Sequence, residues 1–322
     1  MGGAQIQTCL PLCLSTNRRL KKIMYIGKKI RKIVNSEAGF AYLVLIPIVV
    51  LIFFMAYLPA IQSFRLSLMY YNVKLPWKTR FVGLSNYVEI LKDSGFWQAF
   101  WRSCYFVVIS VSLILSIAMG FALTLNQDFK GRSAVRVLIM LPWAIPPVVN
   151  GFIWKWFLNG DYGFLNGLLY QLGIISKYRP WLADPFSALN WAIVTFVWRF
   201  TPFVTILLLG ALQSIPPEIY DAAKVDGAGI KSRFFYITLP LIRPTLVIAM
   251  IVIMIYSFTV FDEIYTLTGL DPATKTLMMY DYELTFEKGR FGLGSALAYL
   301  IGIFMFVMAY FYIKTIYREV EH

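Results

Sequence analysis

The sequence predicts an all-α, polytopic membrane protein with six transmembrane helices and a helical loop between the fourth and fifth. Three observations lead to this prediction: the composition, the spacing of the apolar segments and the placement of the basic residues. Hydrophobic residues make up 59% of the 322 residues and charged residues only 15%. An average soluble domain has about 25% charged residues, so this composition is typical of a chain whose helices face lipid.

Six apolar segments are candidates to cross the hydrocarbon layer, which requires about 20 residues. They are Ala38 to Phe64, Ser103 to Gln127, Val137 to Trp154, a stretch within Pro185 to Pro217, Pro244 to about Tyr265, and Phe291 to Ile313. The third contains Pro142, Pro146 and Pro147. Prolines are tolerated where neighbouring helices or water satisfy the freed carbonyls, so we expect this span to line a central cavity. An apolar helix within 158–186 is too short to span and is expected at the outer interface.

The basic residues predict the orientation. Eight Lys/Arg lie between Arg18 and Lys32, ahead of the first span. If both termini and residues 126–136 and 213–243 are cytoplasmic, the inside holds 17 Lys/Arg and 7 Asp/Glu, and the rest of the chain holds 13 and 10. The positive-inside rule therefore places both termini in the cytoplasm. The net charge of +13 follows this membrane pattern, so we expect no nucleic-acid partner.

We divide the chain into a basic cytoplasmic segment 1–37, a six-span domain 38–317 and a cytoplasmic tail 318–322. The basic residues of the first segment suit either an amphipathic helix on the membrane surface or a solvated tail. Residues 1–17 carry no functional signal, and Met24 is an alternative start to Met1.

Pro216 to Pro244 forms a polar segment between two long apolar runs. Pro217 suits the first turn of a helix, and Gly227 can end that helix in a left-handed conformation. A second helical stretch, Ile230 to Thr238, is expected to end at Leu239–Pro240 because the residue before a proline is disfavoured in a helix. The prediction is a helix, a sharp turn and a second short helix.

This segment resembles the signature loop of permease subunits in binding-protein-dependent carbohydrate ABC importers of the maltose, trehalose or glycerol-phosphate type. The matching positions are Asp221, Ala222, Ala223, Gly227, Ile237, Leu239 and Pro240. Asp221 stands where the family usually has glutamate. The resemblance extends over most of residues 40–315, and VGLSNYVEIL in the first outer loop is similar to a sequence of sugar permeases in this family.

The resemblance implies a transport subunit of the inner membrane of a prokaryote, not an enzyme. The implied partners are a second permease, two ATPase subunits, an extracytoplasmic binding protein, a sugar and membrane lipid. ATP and Mg would bind the ATPases, since this chain has no G-x-x-x-x-G-K-[ST] motif and no cofactor of its own is expected. Small side chains would let the loop helix seat closely in an ATPase groove. The residues expected to couple the loop to the ATPases are Glu218, Tyr220, Asp221, Ala222, Ala223, Asp226, Gly227 and Ala228.

Two helix faces are candidates for the substrate site because matching positions line it in permeases that resemble this chain. Aromatic rings with hydroxyls between them suit a neutral sugar, but a helix-packing face is the alternative interpretation. Arg199 faces a cavity or partner, or extends to the outer interface. The candidate residues are Phe196, Arg199, Phe200 and Phe203 on the fourth span, and Tyr256, Ser257 and Val260 on the fifth, with Thr259 and Asp262 beside them.

The fifth-span residues differ from the amide-rich pattern of maltose-type permeases, so the identity of the sugar stays open. An ion-coupled secondary transporter is the second functional hypothesis, with Asp262 and Glu263 as the only candidate coupling carboxylates. A non-transporting membrane scaffold is a third. The sequence shows no catalytic constellation or metal-ligand spacing; its only histidine is His322 and its cysteines are Cys9, Cys13 and Cys104.

Overall fold

The computed structural model describes residues 37–317. The predictions for residues 1–36 and for the tail 318–322 lie outside this range. The chain divides into two compact units, residues 1–65 and 66–322.

The described part of the first unit is one nearly continuous helix. Helix α1 (Glu37–Ile52) passes through a π turn (Phe53–Tyr57) into α2 (Leu58–Ser67), which ends just beyond the boundary. The wider turn precedes Pro59, whose missing N–H and bulky ring disturb an ordinary α turn. Val44–Ser67 is long and apolar enough to span a membrane, in agreement with the first predicted span.

The second unit begins with a small antiparallel ribbon that the all-α prediction did not include. Strands β1 (Met69–Tyr70) and β2 (Arg80–Phe81) pair Met69 with Phe81, and a 3-10 turn lies between them. Strands of two residues are too short to show an alternating pattern. Helix α3 (Ser85–Lys92) follows, and buried Asn86 donates to the carbonyls of Ser67 and Met69 at 2.7 and 2.9 Å.

Helix α4 (Ser94–Leu125) is the second span and begins nine residues earlier than predicted. The Asp93 side chain accepts the Gly95 N–H at 2.8 Å and caps the helix. The cap explains why the helix starts ahead of its apolar part.

The third predicted span is not one straight helix. Helices α5 (Arg132–Ala144) and α6 (Pro147–Phe157) are bent by 95° relative to each other. Pro146 and Pro147 cannot donate to the preceding turn, and Ile145 adopts the extended conformation favoured before proline, with φ −77° and ψ 128°. The described residues therefore contain five candidate spans and this bent pair, which makes six only if the pair counts as one.

The loop that follows is organised by one asparagine. Helix α7 (Phe164–Gln171) has eight residues, and buried Asn166 donates to the carbonyls of Asn159 and Arg179 at 3.0 and 2.9 Å. A side chain on Gly163 would collide with the backbone of Asn159 at 2.3 Å. The chain can therefore turn this tightly at position 163 only with glycine there.

The remaining elements continue along the chain after α8 (Pro185–Gln213), the fourth span. They are α9 (Pro217–Val225), α10 (Ile230–Arg233), a π turn (Phe234–Thr238), α11 (Leu239–Leu241), α12 (Arg243–Phe258), α13 (Asp262–Thr268), α14 (Leu277–Tyr282), a π turn (Glu283–Glu287) and α15 (Phe291–Tyr317). Together α12 and α13 form the fifth candidate span, and α15 contains the sixth.

The core of the second unit lies along α4 and α8, which form the most extensive contact between any two described elements. Helix α12 packs on α4, α5 on α8, and α6 on α13. Phe106 of α4 and Phe196 of α8 meet at the centre with ring centroids 5.6 Å apart. This packing holds the two predicted substrate helices, α8 and α12, against a common neighbour.

Candidate functional site

Helix α9 ends in a Schellman motif, as the glycine in the loop predicted. Gly227 has φ +78°; its N–H bonds to the Lys224 carbonyl at 3.0 Å, and the Ala228 N–H reaches the Ala223 carbonyl at 2.9 Å. Glycine adopts this left-handed conformation without the steric penalty of a side chain. The turn is thus fixed by the backbone.

The second helix of the loop does not end at Leu239–Pro240, contrary to the sequence prediction. Helix α10 passes through the π turn into α11, which contains Pro240 and runs to Leu241. The Leu239 N–H bonds five residues back, to Phe234, so the wider turn accommodates the proline. Ile242 and Leu246 then continue the bonds into α12, at 3.1 and 3.0 Å. The loop therefore leads directly into the fifth span.

The predicted coupling residues lie on two sides of α9. Ala223 is buried within this chain, and Tyr220 is half-buried, its hydroxyl 3.0 Å from that of Thr238. Ala228 is half-buried. The exposed members are Glu218, Asp221, Ala222, Asp226 and Gly227, with Asp221 paired to Lys224 at 2.7 Å. Ala222, and not Ala223, is therefore the small residue that α9 presents outward.

An aromatic row crosses three helices of the second unit. Trp143 of α5 stacks on Phe203 of α8 with centroids 5.5 Å apart, Phe203 contacts Phe200 at 5.6 Å, and Phe200 contacts Tyr256 of α12 at 5.1 Å. Tyr256 is 55% exposed and Trp143 42%. Phe203 is half-buried, whereas Phe196 and Phe200 are buried in the core. We call Trp143, Phe203, Phe200 and Tyr256 the aromatic row.

Sequence reasoning missed Trp143, because its contact with Phe203 arises from the packing of α5 against α8. Its sequence context carries no signal for a contact with Phe203.

Tyr256, Ser257 and Val260 do not share one face, contrary to the helical spacing used to group them. Ser257 and Val260 are buried, and the Ser257 hydroxyl donates to the Ile253 carbonyl at 2.7 Å. Helix α12 ends at Phe258, with Thr259 as its C-cap, so the helical repeat does not extend to Val260. Of this group only Tyr256 is open to a ligand in this structure.

Arg199 pairs with Glu263 inside the second unit. Its Nε and a terminal nitrogen both lie 2.6 Å from Glu263 Oε1, and the residues are 9% and 2% exposed. The pair joins α8 to the first turn of α13 and supports the partner interpretation of Arg199 over extension to the interface. Two guanidinium nitrogens on one buried carboxylate oxygen make charge-assisted contacts, which are stronger than hydrogen bonds between neutral groups.

Two further contacts hold α6 against α13 and α8. A side chain on Gly151 would lie 1.6 Å from Thr266 Oγ1, so only glycine permits this approach of α6 to α13. Buried Asn150 donates to the Thr195 carbonyl of α8 at 3.2 Å. Together with the Arg199–Glu263 pair, these contacts hold the three helices α6, α8 and α13 against one another.

Within residues 37–317 no group of three or more His, Cys, Asp and Glu is arranged to hold a metal ion.

Comparison with known proteins identifies the family. The family model for the inner membrane component of binding-protein-dependent transport systems matches residues 112–321. The chain belongs to this family. The match confirms the resemblance found in the loop, and with the apolar helices it makes the chain a multi-pass permease subunit of the inner membrane.

Relatives of this permease are themselves named as transport subunits. The trehalose/maltose transport system permease protein of Thermococcus litoralis is 36% identical over 287 residues, covering 88% of this chain and 95% of that protein. The sulfoquinovosyl glycerol transport system permease protein of Agrobacterium fabrum is 34% identical over 264 residues, covering 80% and 84%.

Solved structures show the same fold. A chain of a bacterial ABC transporter that imports the acidic polysaccharide alginate aligns with a TM-score of 0.78 and 23% identity, covering 92% of the permease and 100% of that chain. A second structure of such a transporter, bound to a periplasmic protein carrying an alginate pentasaccharide, aligns with a TM-score of 0.77 and 22% identity, covering 91% and 98%.

The permease also carries charged contacts between its long loops. The Tyr280 hydroxyl donates to Asp93, and this hydrogen bond lowers the pKa of the Asp93 carboxyl below its usual value. Glu283 pairs with Lys275 and, at 2.8 Å, with Lys288, and Arg290 pairs with Glu89 at 2.6 Å. The segment between α13 and α15 is therefore attached to α3 through Glu89 and to Asp93, the residue before α4.

Proposed function

We propose that this permease conducts a sugar, with a maltose- or trehalose-like di- or oligosaccharide the best fit, from an extracytoplasmic binding protein into the cell, driven by two ATPase subunits. The observation that carries the proposal is the α9 loop, whose Schellman turn presents Ala222 and the acidic residues Glu218 and Asp221 outward. A second permease subunit completes the pathway. ATP and Mg bind the ATPase subunits.

The proposed orientation places both termini and residues 213–243 in the cytoplasm. The excess of Lys/Arg in these segments supports it. In this orientation α9 is the cytoplasmic coupling helix, and the loop 158–186 with its helix α7 lies on the outer side.

The coupling mechanism follows from how the loop is attached. Helix α8 ends at Gln213, four residues before α9, and the π turn and α11 continue into α12. Displacement of α9 by the ATPases is therefore transmitted to α8 and α12, two of the three helices that carry the aromatic row. The hydroxyl contact of Tyr220 with Thr238 keeps the two arms of the loop together.

The aromatic row supports a neutral sugar. Flat ring faces, such as those of Trp143 and Tyr256, suit the apolar faces of a pyranose, and the tyrosine hydroxyl can bind a sugar hydroxyl. The Arg199 guanidinium is already paired with Glu263. The names of the relatives, which include trehalose and maltose, agree with a sugar of this class.

The ion-coupled alternative is less well supported. Glu263, one of its two candidate carboxylates, is buried in the ion pair with Arg199. A coupling carboxylate must exchange an ion with water, whereas the Glu263 side chain is buried, with the residue 2% exposed.

Transport by reconstituted vesicles tests the proposed function. The permease, its partner permease and the ATPases are placed in proteoliposomes with the binding protein outside and radiolabelled maltose or trehalose as probe. We expect uptake that requires internal ATP and the binding protein and persists when ionophores abolish ion gradients. Uptake that continues without ATP and stops with the gradient would support the ion-coupled transporter.

A further inference from the structure

A pocket of about 400 Å³ lies where the end of α4 meets the α9–α11 loop. Its volume is within the roughly 300–1,000 Å³ typical of small-molecule sites. Leu123 lines it from the last apolar turn of α4, and Asn126 and Gln127 follow just beyond that helix. The pocket thus lies at the level where an apolar span becomes polar, which is the level of lipid headgroups.

The charged residues that line the pocket are both basic. Lys231 and Arg233 lie on α10, and no Asp or Glu is among the described residues that line it. The Arg233 Nε is buried and has no hydrogen-bond partner within residues 37–317. A buried guanidinium N–H without an acceptor is unfavourable, so the site lacks an anionic oxygen that the guanidinium can bind.

Apolar side chains form another part of the walls, beside the polar Asn126, Gln127, Tyr220 and Thr238. Leu123, Phe234 and Phe235 contribute hydrocarbon and aromatic surface beside the two cations. Free phosphate would gain nothing from these walls, whereas a glycerophospholipid presents a phosphate followed by a glycerol backbone and acyl chains. Basic pockets between helices at a membrane surface are suited to such headgroups.

We propose that this pocket binds the phosphate headgroup of an anionic phospholipid, with Arg233 and Lys231 contacting the phosphate oxygens and the phenylalanines contacting the glycerol and upper acyl chain. Arginine is the stronger contributor, because its planar fork can bind two phosphate oxygens together. The bound lipid joins α4 to the loop that continues into α12. It is a regulatory or stabilising ligand, distinct from the transported sugar.

Native mass spectrometry of the full-length permease tests this proposal. The protein is equilibrated with phosphatidylglycerol or, separately, phosphatidylcholine, and the retained lipid is counted. We expect preferential retention of phosphatidylglycerol, reduced about tenfold or more by Arg233→Gln. Lys130→Gln is the matched control, because Lys130 is exposed in the neighbouring 126–131 loop and does not line the pocket. Equal retention by Arg233→Gln and Lys130→Gln would overturn the proposal.

Photo-crosslinking of the wild-type protein provides a test that does not depend on a variant folding. A photoactivatable phosphatidylglycerol is expected to label residues 230–238, with labelling unchanged by excess inorganic phosphate. Complete displacement by inorganic phosphate would assign the site to a free anion and contradict the lipid. Loss of labelling when the ATPase subunits assemble would identify the pocket as a protein contact and also contradict it.

Discussion

At the scale of single residues, the buried pair of Arg199 and Glu263 allows a prediction of how its removal changes folding stability. Arg199→Met alone leaves the Glu263 carboxylate buried without its partner, which costs on the order of 3–5 kcal/mol of folding stability. Removing both charges with Arg199→Met and Glu263→Met replaces the pair with apolar packing and is expected to recover most of the loss. The measurement is the free energy of unfolding, in detergent, of the purified wild type, the Arg199→Met variant and the double variant. Equal losses in the single and double variants would show that the pair is not coupled.

Tyr256 is the residue of the predicted fifth-span face on which a sugar can stack. Tyr256→Ala is expected to weaken transport by about fivefold, since a lost aromatic contact is worth on the order of 1 kcal/mol. Subunit assembly and basal ATP hydrolysis should persist, because the side chain is exposed. The measurement is the concentration dependence of uptake, with Tyr310→Ala on α15 as an equally exposed control. Unchanged uptake in Tyr256→Ala would assign the row to helix packing.

The sequence predicts the local role of a residue better than it predicts which distant residue it contacts. The glycine pattern located the left-handed turn at Gly227, whereas the charge of Arg199 in an apolar helix left two interpretations open, a partner or extension to the outer interface. Glu263 could not be assigned as that partner, because the two are 64 positions apart and meet only through the packing of α8 and α13. The burial of Ser257 depends in the same way on packing that sequence spacing does not contain.

At the scale of elements, the approach of α6 to α13 depends on Gly151. Gly151→Ala places a methyl group 1.6 Å from Thr266 Oγ1 and 3.2 Å from the Glu263 carbonyl, so the two helices must separate. We expect a loss of about 1–3 kcal/mol and weaker transport, because the Glu263 side chain moves relative to Arg199. Thermal unfolding measures the loss of stability, and sugar uptake measures the loss of transport.

Gly210→Ala is the matched control for this prediction. Gly210 lies within α8 and a side chain there meets nothing within 4 Å. Alanine is the better helix former, so this change should leave stability equal or raise it by up to about 1 kcal/mol. Similar losses at both glycines would contradict the close approach of α6 to α13.

The positions of the long apolar helices could be predicted from the sequence. The breaks within them could be predicted only in part. Apolar length located α4, α8 and α15. The prolines marked a break in the third span, but the size of the bend depends on how α6 packs against α13. The prediction from Pro240 was wrong. This proline was expected to end a helix, whereas the π turn before it lets the chain continue into α12.

At the scale of the whole molecule, the proposed topology predicts opposite accessibility for two surface positions. Val225 on α9 is 89% exposed, and Ser176 lies exposed in the loop 158–186. In a background without the native cysteines, Ser176→Cys should react with an impermeant thiol reagent added to intact cells, and Val225→Cys should react only after permeabilisation. Labelling of Val225→Cys from outside would reverse the proposed orientation.

The family and the overall architecture followed from the sequence because the loop spacing and the apolar segments are local patterns. The two-stranded ribbon and the Asn86 and Asn166 hydrogen bonds did not follow, because each depends on which segments meet in three dimensions. The central claim that the α9 loop transmits ATPase motion needs the whole assembly for its test.

The most direct test of that claim is a bulky substitution on the exposed face of α9. Ala222→Trp adds a large side chain where an ATPase groove is proposed to lie, without disturbing this chain's own packing. Ala223→Trp cannot serve, because Ala223 is buried within the chain. With all subunits reconstituted, we predict for Ala222→Trp a loss of ATPase retention or of ATP-driven uptake, with the fold and sugar preference unchanged. Wild-type retention and uptake in Ala222→Trp would contradict the claim and reduce the loop to a connector.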